Sequence, residues 1–110
     1  MQLLQWNKMD LNSLSEEQLD LAFKKAYDAV SKTEYKFKQD TLLYFYAYYK
    51  NTSKEFNIDI NQTANNGEQL VNAFKMNALF QVRHLNERQS KIKYIELAVK
   101  HIGDDFLKPF

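Results

Sequence analysis

The scarcity of residues that interrupt regular structure is the feature that most constrains the fold of this chain. Its 110 residues include two glycines and one proline, which stands at position 109. A fold rich in β-strands needs many tight turns, and glycine and proline are the residues that tight turns favour. The chain also has no cysteine, so disulfides and cysteine-ligated metal sites are impossible. The sequence therefore predicts an all-α fold.

Composition and charge indicate a small globular protein. Hydrophobic residues make up 45% and charged residues 26% of the chain, which is the balance of a domain with its own core. A net charge of +1 disfavours a nucleic-acid partner, because such proteins usually carry a strongly basic surface. The longest apolar run, Leu42 to Tyr49, is far short of the roughly 20 residues that span a bilayer. We expect a cytoplasmic protein that does not insert into membranes.

Capping signals and apolar residues at spacings of three and four predict four helices. The predicted helices start and end near Ser15 and Ser31, Gln39 and Lys54, Glu68 and Arg83, and Asn86 and Gly103. The polar residues Asn57 to Gly67 predict a long loop before the third helix. Residues 1–14 are interpreted as an N-terminal extension and residues 15–110 as the functional domain.

The second predicted helix carries an unusual concentration of tyrosines. One helical face contains Leu42, Leu43, Tyr46, Tyr49 and Lys50, at separations of three, four and seven residues. Its chemistry changes from aliphatic to aromatic to cationic, which suits a ligand with an apolar end, a flat heteroaromatic ring and a phosphate, as in an acyl-CoA. The alternative is that the aromatic face packs in the core and the lysine favours the helix C-terminus.

Separated segments match one known family in order and spacing. Residues Leu42 to Lys50 reproduce an aliphatic pair, Tyr, two residues and Tyr-Lys; Phe23 to Ala26 matches an upstream Phe-x-x-Ala opening. After a slightly longer loop, Phe74 to Leu79 matches Ala-Lys-Trp-x-Ala-Trp, and Tyr94 takes the place of a tyrosine on the fourth helix. The chain from about Phe23 to Gly103 therefore resembles the acyl-CoA-binding protein family.

The resemblance implies an up-down-down-up four-helix bundle of the acyl-CoA-binding protein type. It also implies a monomeric lipid-binding and lipid-transport protein. Such a protein binds medium- to long-chain fatty acyl-CoA esters as an intracellular carrier and pool former. It presents them to acyl-CoA-using enzymes and performs no chemistry, so no cofactor beyond the acyl-CoA ligand is expected.

The resemblance also assigns ligand-binding residues. They are Leu42, Leu43, Tyr46, Tyr49, Lys50, Lys75, Tyr94 and Lys32. Tyr46, Lys50 and Lys75 are expected to surround the 3′-phosphate of CoA, with Tyr49 and Tyr94 near the adenine and the start of the acyl chain. The two leucines are expected to border the acyl groove, and Lys32 stands next to the position of a family lysine at the end of the first helix.

The chain departs from the family pattern at two tryptophan positions, and its histidines do not indicate catalysis or metal binding. Met76 and Leu79 replace the two family tryptophans, keeping apolar character but losing ring area. His84 and His101 are too far apart to share a helical face, and no nucleophile motif or metal-ligand spacing accompanies them, so we expect no catalytic and no metal-binding residues. The alternative function is a helical protein-interaction domain that kept the bundle but lost the ligand.

Overall fold

The computed structural model describes residues 11–53 and 66–107, with the helical backbone alone described for residues 53 and 66–72. These residues form four α-helices and contain no strand. The helices are α1 (Glu16–Lys32), α2 (Gln39–Ser53), α3 (Asn66–Val82) and α4 (Glu87–Ile102), and two short 3-10 segments cover Leu11–Ser13 and Asp105–Leu107. The prediction of an all-α chain with four helices is confirmed for the described residues.

Two sequence predictions fall partly outside the described residues. Most of the N-terminal extension, residues 1–14, lies there, and so does most of the loop predicted from Asn57 to Gly67. The last two residues of that loop, Asn66 and Gly67, instead begin α3. The prediction was wrong at these two positions because asparagine, besides favouring turns, is also a favoured residue at helix N-termini.

The predicted helix ends agree closely with the structure. Ser15 and Gln18 exchange side chain-to-backbone hydrogen bonds, each 3.1 Å long, and form a capping box before α1. Asn86 and Gln89 make the same exchange before α4, at 2.7 and 2.9 Å. Gly103 follows α4 with φ of 82°, the left-handed conformation in which glycine commonly ends a helix. Local sequence therefore fixes the start of α1 and both ends of α4.

Replacing Ser15 by alanine should lower the free energy of unfolding by about 1 kcal/mol, because the Gln18 backbone N–H loses its side-chain acceptor. Urea denaturation measures the change. Ser31→Ala, the same substitution at an exposed position in the last turn of α1, is the matched control and should change stability far less. Equal losses in the two variants would contradict a capping role.

The chain divides into two compact units, and the first is formed by residues up to Lys36 together with those from Lys91 onward. Its buried apolar residues lie on α1, α4 and the second 3-10 segment: Leu19, Ala22, Ala26, Ile92, Tyr94, Ile95, Ala98 and Leu107. The nearly buried ammonium of Lys91 donates to the Asp20 carboxylate at 2.5 Å. This ion pair satisfies a charge that would otherwise be costly to bury.

The second unit, residues 37–90, is built on α2 and α3, which pack against each other. Its buried apolar cluster consists of Ala47, Ala78, Leu79 and Val82. Tyr46 of α2 meets Lys75 of α3, and further along both helices Asn51 meets Val82. These two contacts advance in the same direction along both helices, as they do when helices run roughly parallel, and the long side chains of Tyr44 and Gln81 also meet.

A buried asparagine near the C-terminal end of α2 forms hydrogen bonds with residues at and after the end of α3. Asn51 is 0% exposed, and its Nδ2 donates to the backbone oxygens of Val82 at 3.2 Å and Leu85 at 2.9 Å and to the Ser90 Oγ at 2.7 Å. The amide has two hydrogens for these three acceptors, so at least one hydrogen is shared. Its Oδ1 is also buried and accepts no hydrogen bond among the described residues. Asn51 thus joins α2 to the turn that follows α3.

Candidate functional site

The predicted ligand-binding face of α2 lies in the second unit, and its residues differ in solvent exposure. Leu42 and Tyr49 are exposed, whereas Leu43 and Tyr46 are half-buried against the apolar cluster that contains Ala47. This division follows from helical geometry, because positions three and four residues apart lie on one side of the helix. The face therefore offers both a packed edge and an open surface.

Two lysines from different helices converge on the ring of Tyr46. Lys50, one turn further along α2, has its Nζ 5.9 Å from the ring centroid, and Lys75 of α3 has its Nζ 5.0 Å from it. Both distances are within the range of cation–π attraction. The structure thus brings together three of the predicted site residues, and we call Tyr46, Lys50 and Lys75 the lysine–tyrosine cluster.

The electrostatics of the lysine–tyrosine cluster favour an anion. Partial burial raises the pKa of the Tyr46 hydroxyl above its ordinary value, so the hydroxyl stays protonated at neutral pH and keeps a hydrogen to donate. No carboxylate among the described residues pairs with Lys75. Two ammonium groups on one tyrosine ring place positive charge where a phosphate could lie, and phosphate oxygens accept charge-assisted hydrogen bonds from such groups.

Two other predicted site residues belong to the first unit. Tyr94 is 3% exposed, and its ring packs edge-on against Phe23, with centroids 5.1 Å apart, and lies 6.4 Å from the ring of Tyr27. Lys32 is exposed in the last turn of α1, with its Nζ 4.0 Å from an oxygen of Asp28. Tyr94 is thus packed within the first unit, while Lys32 lies on its surface.

A groove of about 300 Å³ lies between α2 and α3. Leu43, Phe74 and Ala78 form its apolar part. Its polar lining comes from Asp40, Asn77 and Gln81, together with Tyr44. The groove has both apolar and polar walls, which is typical of small-molecule sites.

Sequence reasoning missed two features of this groove. The Tyr44 hydroxyl donates to the Gln81 Oε1 at 2.7 Å and links the two helices; no local pattern pairs these two residues. Phe74 is 43% exposed and lines the groove. The spacing of apolar residues on the third helix does not indicate this exposure.

The described residues contain neither a membrane-spanning helix nor a cluster of metal-binding side chains. Of the helices within residues 11–53 and 66–107, none combines the length and apolar character needed to cross a membrane. In the same residues, no group of three or more His, Cys, Asp or Glu side chains is placed to hold a metal ion. The lysine–tyrosine cluster is the candidate functional site.

Comparisons with known protein families, with curated proteins and with solved structures found no match. The resemblance to the acyl-CoA-binding protein family therefore rests on short motifs, of which the one ending at Lys50 is the most distinctive. The candidate site adds the spatial convergence of Tyr46, Lys50 and Lys75, which the motifs alone do not establish.

Proposed function

We propose that this protein binds medium- to long-chain fatty acyl-CoA esters and carries them without chemical change. The observation that supports this proposal most strongly is the convergence of Lys50 and Lys75 on Tyr46. The 3′-phosphate of CoA carries a charge near −2 at neutral pH, and two ammonium groups neutralise that charge. The protonated hydroxyl of Tyr46 supplies a further donor.

The positions of the two lysines along their helices favour a bound anion over the helix dipole as the reason for their presence. Lys50 lies in the last turn of α2, where any cation is favoured by the partial negative charge of the helix end. Lys75 lies in the interior of α3, where the dipole gives a cation no comparable advantage. A ligand anion accounts for both lysines, whereas the dipole accounts for Lys50 alone.

The surroundings of the lysine–tyrosine cluster suit the rest of the ligand. Tyr49 is exposed one turn from Tyr46, and its ring offers aromatic surface on which adenine can stack. Leu42 and Leu43 offer apolar surface for the acyl chain, and each buried methylene contributes up to ~0.8 kcal/mol. From the family resemblance, Tyr94 and Lys32 remain predicted ligand contacts.

The direction of the helices is a further argument for the proposed bundle. In an up-down-down-up arrangement the second and third helices run in the same sense, and the contacts of Tyr46 with Lys75 and of Asn51 with Val82 advance in that way. We propose that the chain completes this bundle as a cytoplasmic monomer that presents acyl-CoA to the enzymes that use it.

Calorimetric titration of the unmodified protein tests the proposal. Palmitoyl-CoA should bind one to one, while free CoA and palmitate, each carrying half of the ligand, should bind at least about 100-fold more weakly because each loses several kcal/mol of contacts. The ester of dephospho-CoA isolates the 3′-phosphate. Equal binding of the two esters would contradict the phosphate role of the cluster, and absence of heat with every ester would overturn the carrier function.

A protein-interaction domain is the competing function, and one feature of α3 favours it. Met76 and Phe80 are both exposed on that helix and lie four residues apart, so they present adjacent apolar surface. A protein partner has no reason to distinguish palmitoyl-CoA from its dephospho form. Discrimination between those two esters would therefore argue against this alternative.

A further inference from the structure

We propose that the groove between α2 and α3 is a second binding site and that it takes a small organic cation, such as a quaternary ammonium compound. A carboxylate and two aromatic rings line this groove of about 300 Å³: Asp40, Tyr44 and Phe74. No residue of the lysine–tyrosine cluster is among its described lining residues. The groove is therefore a site of its own, independent of acyl-CoA binding.

The charge of the groove favours a cation. Of the described residues that line it, Asp40 alone carries a charge. Within the described part of the chain, no lysine, arginine or histidine forms an ion pair with this carboxylate. Calcium and magnesium take several oxygen ligands, and the described residues hold no cluster of three acidic or histidine side chains. An organic cation, by contrast, needs a single carboxylate and apolar surroundings.

Aromatic rings from both helices line the groove. Tyr44 belongs to α2 and Phe74 to α3, and both side chains are exposed. The face of an aromatic ring attracts a cation that lies within about 6 Å of the ring centroid, and quaternary ammonium groups are recognised by such rings. Leu43 and Ala78 add apolar surface for the methyl groups of the cation.

The ring of Tyr44 has fixed neighbours in the absence of a ligand. Its hydroxyl donates to the Gln81 Oε1 at 2.7 Å, and its ring centroid lies 6.0 Å from that of Tyr48, one turn further along α2. Asp40 lies one turn before Tyr44, so the carboxylate and the ring share one side of α2. A ring that is already held loses little conformational freedom on binding, which favours a small ligand that makes few contacts.

The helix dipole gives another reason for an acidic residue at position 40. Asp40 lies in the first turn of α2, where negative side chains are favoured. That effect requires no aromatic neighbours. An organic cation accounts for the carboxylate and for the exposed rings of two helices in the same groove, whereas the dipole accounts for the carboxylate alone.

Titration of the unmodified protein with choline, followed by the NMR chemical shifts of its backbone amides, tests this inference. Choline should shift the amides of the groove residues. It should bind at least about fivefold more tightly than its neutral carbon analogue, in which a tert-butyl group replaces the trimethylammonium group, because the analogue lacks cation–π and ion-pair attraction. Sodium chloride at the same concentration corrects for ionic strength.

Two variants separate the carboxylate from the rings. Asp40→Asn keeps the size and removes the charge, and should weaken choline binding about two- to fivefold. Phe74→Leu keeps apolar surface and removes a ring, and should weaken it by a similar factor. Asp28→Asn, the same change as Asp40→Asn at an exposed position of α1, is the matched control and should leave the affinity unchanged. Circular dichroism shows whether each variant keeps its helices, and Asp40→Asn carries the test if Phe74→Leu does not fold.

Equal binding of choline and its neutral analogue would overturn the inference. So would equal choline binding by folded Asp40→Asn and the unmodified protein, or a titration with choline that shifts no groove amide. None of these results affects the proposed carrier function, because acyl-CoA binding is measured with different ligands and depends on different residues.

Discussion

Replacing both Lys50 and Lys75 by alanine is expected to lower the affinity for palmitoyl-CoA by about 100- to 1,000-fold. A hydrogen bond to a charged group contributes about 1.5–3 kcal/mol, and both ammonium groups approach the same tyrosine ring from different helices. The losses need not add, because the two lysines act on one phosphate. Isothermal calorimetry with the double variant and each single variant measures the total effect and the coupling between them.

The control for this prediction removes two positive charges at positions outside the lysine–tyrosine cluster. Lys24→Ala with Lys100→Ala removes the same two charges from exposed positions on α1 and α4 and should reduce affinity only slightly. The dephospho ester should bind the Lys50, Lys75 double variant almost as well as it binds the unmodified protein. A similar loss for both esters, or for both double variants, would mean that the cluster does not recognise the 3′-phosphate.

The parts of this site that sequence could predict are those determined within one helix. Tyr46 and Lys50 are four residues apart on a helix that the sequence identifies, and their approach follows from helical geometry alone. The same applies to the caps at Ser15 and Asn86, where donor and acceptor are three residues apart. Such features depend on local spacing and require no knowledge of how helices pack.

Features that depend on packing between helices could not be predicted from the sequence. Lys75 was assigned through a family resemblance and not through any spacing that relates it to Tyr46, since 29 positions separate the two residues in the chain. Phe74 is 43% exposed and lines the groove between α2 and α3. Periodicity predicts which side of a helix is apolar, but the neighbouring helix decides which residues on that side are covered.

Asn51 is the clearest residue that the sequence did not identify. It lies four residues after Ala47, on the buried side of α2, and that spacing was the signal that it points inward. A polar side chain at such a position requires hydrogen-bond partners. Its partners, Val82, Leu85 and Ser90, are more than thirty residues away, so only the folded structure identifies them.

Asn51→Leu is therefore expected to lower the free energy of unfolding by about 3 kcal/mol. Leucine has similar size but no donor, so the backbone oxygens of Val82 and Leu85 and the Ser90 hydroxyl lose the hydrogens that Nδ2 supplies. Each buried group left without a partner costs about 1–3 kcal/mol, partly offset by the apolar surface that leucine buries. Urea denaturation followed by circular dichroism measures the difference.

Asn77→Leu provides the matched control, because it makes the same chemical change at an exposed position of α3 in the same unit. It should change stability by less than about 0.5 kcal/mol, as surface substitutions usually do. If Asn51→Leu were equally mild, the three hydrogen bonds would have no net stabilising effect. A large loss in Asn51→Leu alone would show that the hydrogen bonds of Asn51 stabilise the unit that contains α2 and α3.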